Sequence, residues 1–258
     1  MSFRSLPLIV LLLFIGYWCI AQTGSLSLGG GTTVLAFLTK DSVIITADTK
    51  EIIINQKTGD TSYIIVPKIR QVGNVFFAFS DFYELYDYDK GGKVFDMQSL
   101  FTECQKKDSD DIVSGFKDFL DNLKTKINEL SMEYPFLPNS FKNRVMSGVI
   151  IIQFKDETPH CIFGLLILNG DAAPNLNPRF KPINSLVNPM PLGRFQYISS
   201  FLASNQTYLS SPRPNMKEKL IKLIRVQIAQ DSAAVGCPID QVVIRRNAYK
   251  WQPRFYCK

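Results

Sequence analysis

Short apolar runs, rich in β-branched and aromatic residues, alternate with polar turns between residues 30 and 80. The turn signals are "KD" at 40–41, "QKTGD" at 56–60 and "GN" at 73–74. Closely spaced runs of this kind are typical of antiparallel hairpins. The pattern therefore predicts five strands in this region: "TTVLAFLT", "SVIITAD", "EIIIN", "SYIIV" and "NVFFAFS".

Helical periodicity replaces this pattern further along the chain. In "DSDDIVSGFKDFLDNLKTKINEL", apolar residues recur at helical spacing from Ile112 to Leu130, and Asp108 and Ser109 precede them as capping residues. The upstream segment "FDMQSLFTECQ" predicts a shorter helix, and "NMKEKLIKLIRVQIAQ" predicts another near the C-terminus.

Strands return after the first helices, in "SGVIIIQF", "CIFGLLIL" and finally "QVVIRR". The segment 171–191 is rich in Asn and Pro and is expected to be a surface loop. An order of strands, helices, strands, helix and strand favours an α+β fold with antiparallel sheets over a parallel βαβ sheet. The length is compatible with one domain, which we place at residues 32–258.

The N-terminus has a different composition from the rest of the chain. A basic start at Arg4 leads into "LPLIVLLLFIGYWCIA", which is almost wholly apolar. The pattern predicts a secretory signal peptide over residues 1–21, cleaved near Ala21, and hence a secreted or periplasmic protein. An uncleaved membrane anchor is the alternative; a lipoprotein is disfavoured because bulky Trp18 precedes Cys19.

Charge and histidine content exclude several classes of function. The 29 Lys and Arg residues outnumber the 23 Asp and Glu residues, but they are scattered, with no basic stripe carrying interleaved aromatics. Nucleic acid is therefore not expected as a partner. A single histidine, His160, excludes a two-histidine zinc motif and disfavours a Ser-His-Asp triad. We expect no metal and no organic cofactor.

Four cysteines remain after the predicted signal peptide: Cys104, Cys161, Cys237 and Cys257. An even number in an exported chain predicts up to two disulfides, with three pairings open. Cys237–Cys257 is a plausible pair because both residues lie beside the last predicted strand.

The stretch "LGGGTTVLAFLTKDSVIITADTKE" carries the candidate chemistry. A threonine hydroxyl is a weak nucleophile until a base takes its proton, and a threonine at the N-terminus carries its own base in the α-amine. That chemistry requires a cut directly before Thr32, where Gly31 leaves the backbone flexible. The alternative interpretation of "GGGTT" is an ordinary flexible lead into a strand.

The residues "GTTVLAFLTKDSVIITAD" resemble the start of a proteasome β-type subunit of the N-terminal nucleophile (Ntn) hydrolase superfamily. The resemblance implies a four-layer αββα sandwich and self-cleavage at Gly31–Thr32, with residues 22–31 lost as a propeptide. Thr32 would be the nucleophile. Asp48, Lys68 in "PKIRQVGNVFFAFS" and Asp231 in "AQDSAAVGCPIDQVVI" match the residues that position the nucleophile and tune its pKa.

Two positions depart from the family pattern. Asp81 stands where the family has a glycine whose amide helps to bind the oxyanion, and a carboxylate there would oppose developing negative charge. Ala234 stands where a serine usually follows the second aspartate. The family's other serine cannot be located in "PLGRFQYISSFLAS".

Two hypotheses follow for the function. In the first, the protein is an exported threonine hydrolase whose substrate is a peptide or small amide. In the second, favoured by Asp81 and Ala234, it is a catalytically silent structural or binding protein on the same scaffold. We expect no stable membrane association after signal removal and allow for a homo-oligomer.

Overall fold

The computed structural model describes residues 26–39, 41–55, 58–107, 111–135, 137–141, 144–155, 158–169, 175–183 and 189–257. These residues form an α+β fold with three antiparallel sheets of five strands each, which confirms the predicted class. The predicted signal peptide and residues 22–25 of the predicted propeptide lie outside the described residues. No helix in the described ranges is long and apolar enough to cross a membrane.

The first sheet has the order β5-β4-β1-β8-β9. Its central strand belongs to the predicted propeptide and lies antiparallel to both neighbours. The five strands are β1 (Leu26–Gly30), β4 (Lys50–Asn55), β5 (Thr61–Ile65), β8 (Glu84–Asp87) and β9 (Gly92–Asp96).

The second and third sheets contain most of the strands predicted from the apolar runs. The second, in sheet order, consists of β12 (Asn175–Ile183), β11 (Thr158–Asn169), β10 (Arg144–Lys155), β7 (Val75–Asp81) and β6 (Ile69–Val72). The third consists of β13 (Met190–Gly193), β2 (Thr33–Leu38), β3 (Ser42–Asp48), β14 (Ile239–Arg245) and β15 (Ala248–Trp251).

The helices form two groups along the chain: α1 (Met97–Lys107), α2 (Ile112–Glu133) and the short α3 (Leu137–Phe141), then α4 (Gln196–Ser204) and α5 (Met216–Gln230). Helix α2 is capped by the Asp111 side chain, which accepts a hydrogen bond from the Val113 amide at 3.0 Å. The N-cap is thus Asp111 and not Asp108 or Ser109, which the sequence suggested and which lie outside the described residues.

Three apolar clusters pack these elements together. One lies between the second and third sheets and includes Val34 and Phe76. The next packs α1 and α2 on the other face of the second sheet and includes Phe77 and Phe119. The last packs α4 and α5 on the other face of the third sheet and includes Leu35. Because successive strand residues point to opposite faces, β2 and β7 each contribute to two clusters.

The predicted loop over residues 171–191 was wrong for the part that the structure describes, since residues 171–174 and 184–188 lie outside it. Residues 175–183 form β12, which pairs with β11 from Asn169↔Asn175 to Cys161↔Ile183, and β13 begins at Met190. The prolines that suggested a loop, Pro178 and Pro182, are tolerated because β12 is an edge strand whose outer side needs no ladder hydrogen bonds.

A disulfide joins Cys237, just before β14, to Cys257 near the C-terminus, with Cα atoms 5.8 Å apart. The expected Cys237–Cys257 pair is therefore confirmed. Cys104 and Cys161 are buried free thiols.

Reduction of this disulfide should lower the free energy of unfolding. The bond closes a sequence separation of 20 residues, for which loop-closure entropy gives about 3 kcal/mol. Urea unfolding of the wild type with and without reductant measures the loss. Cys257→Ala should match the reduced wild type and show no response to reductant. An equal response to reductant in both proteins would contradict the assignment.

Candidate active site

Thr32 lies in the link between β1 and β2, and its side chain is fully buried. Its hydroxyl donates a hydrogen bond of 2.6 Å to the carbonyl oxygen of Gly31. Gly31 has φ +78°, in the left-handed region that favours glycine. The candidate nucleophile therefore rests against the carbonyl group of the bond that the sequence predicts to be cut.

Asp48, at the end of β3, is fully buried behind this link. Its carboxylate accepts hydrogen bonds from three backbone amides: Thr33 at 2.8 Å, Lys50 at 3.2 Å and Gly236 at 3.2 Å. Burial raises the pKa of the Asp48 carboxyl to about 7, although the charge of Lys68 and the three amides act in the opposite direction. Asp48 thus fixes the start of β2, where the Thr32 side chain is placed.

Lys68 is fully buried just before β6, and its ammonium contacts Glu51 and Tyr83. It lies 3.6 Å from Glu51 Oε2, donates a hydrogen bond to the Tyr83 hydroxyl and sits 4.6 Å from the centre of the Tyr83 ring. Burial lowers its pKa, while the charges of Glu51, Asp48 and Glu84 raise it. Lys68 is thus close enough to Asp48 for their charges to interact, but its direct ionic partner is Glu51.

Glu51 is a site residue that the sequence reasoning missed. It lies on β4, is fully buried, and has two carboxylate oxygens without a hydrogen-bond partner among the described residues. Burial raises its pKa to about 7, and nearby Glu84 adds to the shift while Lys68 opposes it. The sequence carried one signal for the burial of Glu51. Successive strand residues alternate between faces, and Glu51 lies on the same inward face of β4 as buried Ile53.

Asp231 lies at the C-terminal end of α5, and its carboxylate is 3.3 Å from the Arg194 guanidinium. The backbone of Arg194 contacts the link directly: its amide donates to the Thr32 carbonyl at 2.9 Å, and its carbonyl accepts from the Thr33 hydroxyl at 2.5 Å. Arg194 belongs to "PLGRFQYISSFLAS", the segment in which the family's other serine could not be located, so this segment places an arginine against the link between β1 and β2. Gly193 is needed beside it, because a Cβ at its φ of +74° would collide with the Thr32 carbonyl oxygen.

Asp81 ends β7 with φ +60°, an unusual conformation for a residue with a side chain. Its carboxylate accepts a hydrogen bond from the Ser80 hydroxyl at 3.1 Å. Burial raises the pKa of the carboxyl, while Ser80 and the charge of Arg194 lower it. Its backbone carbonyl oxygen would lie 2.5 Å from a Cβ at Gly30, so Asp81 borders β1 directly.

The strand β1 fills a slot between β4 and β8. On one side Ser27 to Gly30 pair with Asn55 to Ile52, and on the other Leu26 to Gly29 pair with Asp87 to Glu84. Ser27 is fully buried, and its hydroxyl has no partner among the described residues. A peptide segment thus lies in extended form across the site, with its C-terminal end at Thr32.

Three of the four residues proposed from the sequence are joined by a short series of contacts: Asp48 binds the Thr33 amide next to Thr32, and Arg194 links the same backbone to Asp231. Lys68 does not belong to this series, because its direct contacts are with Glu51 and Tyr83 and it interacts with Asp48 through charge. In the described part of the chain, no cluster of three or more His, Cys, Asp or Glu side chains is arranged to hold a metal ion.

Comparison with known proteins bears on the fold alone. No protein-family model matches the sequence, and no curated protein matches it. Among solved structures, the chain is similar to a (Gly-1) mutant of Anbu from Hyphomicrobium sp. strain MC1, with a TM-score of 0.50, 17% sequence identity and 88% of each chain covered. Anbu is a proteasome-related, Ntn-hydrolase-like protein, so the likeness supports a proteasome-like fold.

The buried carboxyls predict that stability falls as pH rises from about 4 to about 7. Unfolded Asp and Glu ionise near pH 4, whereas the folded pKa values of Asp48 and Glu51 are raised to about 7. The folded state therefore binds more protons in this window, which costs about 1–3 kcal/mol per group by its upper end. Urea unfolding in a Thr32→Ala background measures this slope.

Glu51→Gln should flatten the slope because it removes one of the two ionisations. The matched control is Glu103→Gln, at an exposed position on α1, which should leave the slope unchanged. An identical pH dependence in the Glu51→Gln and parent proteins would contradict the assignment.

Proposed function

We propose that this chain is a threonine-type Ntn hydrolase that cuts its own Gly31–Thr32 bond and then cleaves peptide or amide substrates. The observation that carries the proposal is the 2.6 Å hydrogen bond from the Thr32 hydroxyl to the Gly31 carbonyl oxygen. The packing of helices on the outer faces of two stacked sheets supports the four-layer αββα sandwich of this superfamily.

The self-cleavage step follows from the position of the hydroxyl. Thr32 Oγ1 attacks the Gly31 carbonyl carbon, the C–N bond breaks, and the hydroxyl proton ends on the released Thr32 amine. The product is an ester between Gly31 and Thr32 Oγ1. Water then hydrolyses that ester, which leaves a Gly31 carboxylate and restores the hydroxyl. The free amine of Thr32 is afterwards the base for substrate cleavage.

The charged groups around Thr32 have roles that suit this chemistry. The ammonium of Lys68 disfavours protonation of the Thr32 amine and so keeps it available as a base. Asp48 positions the backbone through the Thr33 amide, and Asp231 fixes Arg194 against the same link. Burial of Lys68 and Asp48 is costly, and buried groups with shifted pKa values are typical of functional sites.

Dissociation of β1 after the cut would open the substrate site. The strand is flanked by β4 and β8, so its removal leaves a slot of one strand's width with unpaired backbone groups along both sides. An extended peptide can pair with both sides in the same way that β1 does. Export through the predicted signal peptide is part of the proposal and is supported by the Cys237–Cys257 disulfide.

The silent scaffold remains the second candidate because specific observations favour it. Asp81 borders β1 with a half-buried carboxylate, Ala234 replaces the family serine, and the ammonium of Lys68 contacts Glu51. In this alternative, β1 is a permanent central strand, and a homo-oligomer or a bound partner would be its functional state.

The two candidates predict different N-termini for the purified protein. If the chain cleaves itself, intact-mass measurement should give a chain that starts at Thr32. Thr32→Ala should instead start near Gln22, because it lacks the attacking hydroxyl. Thr32→Ser is the matched control, which keeps a hydroxyl and should still be processed. A wild-type chain that stably keeps residues 22–31 would exclude the mechanism.

Removal of the buried ammonium should prevent self-cleavage. We expect Lys68→Met to reduce processing at least about a hundredfold, the scale of losing one electrostatic group at an active site. Lys50→Met is the control, since the Lys50 ammonium binds the Ser232 carbonyl at the surface. Time-resolved intact mass measures both variants.

Because Lys68→Met leaves Glu51 as a buried unpaired charge, the variant could unfold for that reason alone. The double variant Glu51→Gln/Lys68→Met removes both charges and should fold while remaining unprocessed. Normal processing of the double variant would show that Lys68 has no part in the reaction.

A further inference from the structure

The structure leaves little room for a side chain at two consecutive positions, Gly30 at the end of β1 and Gly31 in the link to β2. We infer that the site is selective for peptides with glycine at both positions directly before the cleaved bond. This inference rests on the proposed function and names its substrate class. The two positions are those that Gly30 and Gly31 occupy in the chain's own segment.

The position of Gly30 excludes a side chain on steric grounds. A Cβ there would lie 2.5 Å from the carbonyl oxygen and 3.0 Å from the carbonyl carbon of Asp81. These are backbone atoms, and the same peptide plane is held by the Phe82 amide, which donates to the Met146 carbonyl at 3.0 Å. Rotation of the Asp81 carbonyl out of the way would therefore break a hydrogen bond to β10.

The position of Gly31 excludes a side chain mainly on conformational grounds. Its φ of +78° is strained for residues that carry a Cβ. A Cβ would also lie 3.2 Å from the Ala234 carbonyl oxygen and 3.2 Å from Ile52 Cδ1. The Ala234 segment is fixed in turn, because the amides of Ala234 and Val235 both donate to the Asp231 carbonyl.

The position of Gly29 differs from these two and provides an internal control. The nearest atoms to a Cβ there all belong to side chains: the carboxylate end of Glu51, Cβ of Glu84 and the ring of Tyr86. The Glu51 side chain can rotate away from such a Cβ, at the cost of disturbing its contact with Lys68, whereas the backbone carbonyl beside Gly30 cannot. An alanine should therefore be tolerated better at the third residue before the cut than at the second.

A substrate would meet the same constraints as the chain's own segment. Thr32 fixes where the cleaved bond must lie, and pairing with β4 and β8 fixes the register of the residues before it. Asp81, Ala234 and Ile52 belong to the walls of the slot and remain after the segment leaves. The close approach thus restricts any extended peptide that uses this slot.

The test uses the processed wild-type enzyme and four fluorogenic peptides copied from residues 28–31. The parent is acetyl-Leu-Gly-Gly-Gly-aminomethylcoumarin, and each of the others replaces one glycine by alanine. Alanine at the second residue before the bond should lower kcat/KM about thirty- to a hundredfold, as overpacking against backbone does. Alanine at the first should lower it about tenfold, and at the third less than about threefold.

A second measurement uses the chain itself. Intact mass over time should show slower self-processing for Gly30→Ala than for Gly29→Ala, with thermal melting as the check that both variants fold. The peptide series does not depend on these variants, so misfolding of Gly30→Ala would leave the test intact.

The outcomes separate the inference from the proposed function. If the wild type processes itself but cleaves the alanine peptides as well as the glycine parent, the selectivity is refuted and the hydrolase remains. Equal losses for alanine at the second and third residues would refute it too. If neither self-processing nor turnover of any peptide occurs, both the hydrolase and its selectivity are refuted.

Discussion

The carboxylate of Asp48 is the contact on which the candidate site depends. It is buried, and it gathers three amides from segments far apart in the sequence: the start of β2, the start of β4 and the corner that follows α5. Its removal would take an acceptor from each of the three amides, and a buried amide left without a partner costs about 1–3 kcal/mol. The position of Thr32, the approach of β4 and the placement of the Asp231 corner all follow from this one residue.

The central strand of the first sheet, β1, can dissociate without disrupting the pairing of β4 with β5 or of β8 with β9. Without β1, the sheet separates into two hairpins, β4–β5 and β8–β9. Each hairpin continues directly from a strand of another sheet, and Thr49 anchors the first to Pro238 through its amide at 3.1 Å and its hydroxyl at 2.7 Å. The hairpins would therefore remain as the two walls of a groove that ends at Thr32. The glycines of β1 allow the close approach, and the same property underlies the selectivity that we infer.

Local pairing explains which parts of the site the sequence could predict. Thr32 and Asp48 were assigned from the family resemblance, and their positions lie close together because β2 and β3 form a tight hairpin with Val34 opposite Ala47. The helices followed from apolar periodicity for the same local reason. By contrast, β1 contains two glycines, which weaken a strand, and its existence depends on partners found only after folding. The strand β12 was missed similarly, because prolines in an edge strand resemble those of a loop.

The electrostatic contacts were the least predictable part. The resemblance assigned Lys68 a role in tuning the nucleophile, but it gave no indication of Glu51 as the ionic partner, and nothing local in the sequence links these two residues. Arg194 reaches the site through backbone contacts that any residue could make, so its identity carried no signal. The central claim, that β1 occupies a peptide slot that it later vacates, is tested most directly by amide hydrogen exchange. In Thr32→Ala, the segments Ile52–Asn55 and Glu84–Asp87 should exchange slowly, whereas in the wild type they should exchange at least about tenfold faster, with β2 and β3 equally protected in both proteins. Equal protection of the slot segments in the two proteins would contradict the account.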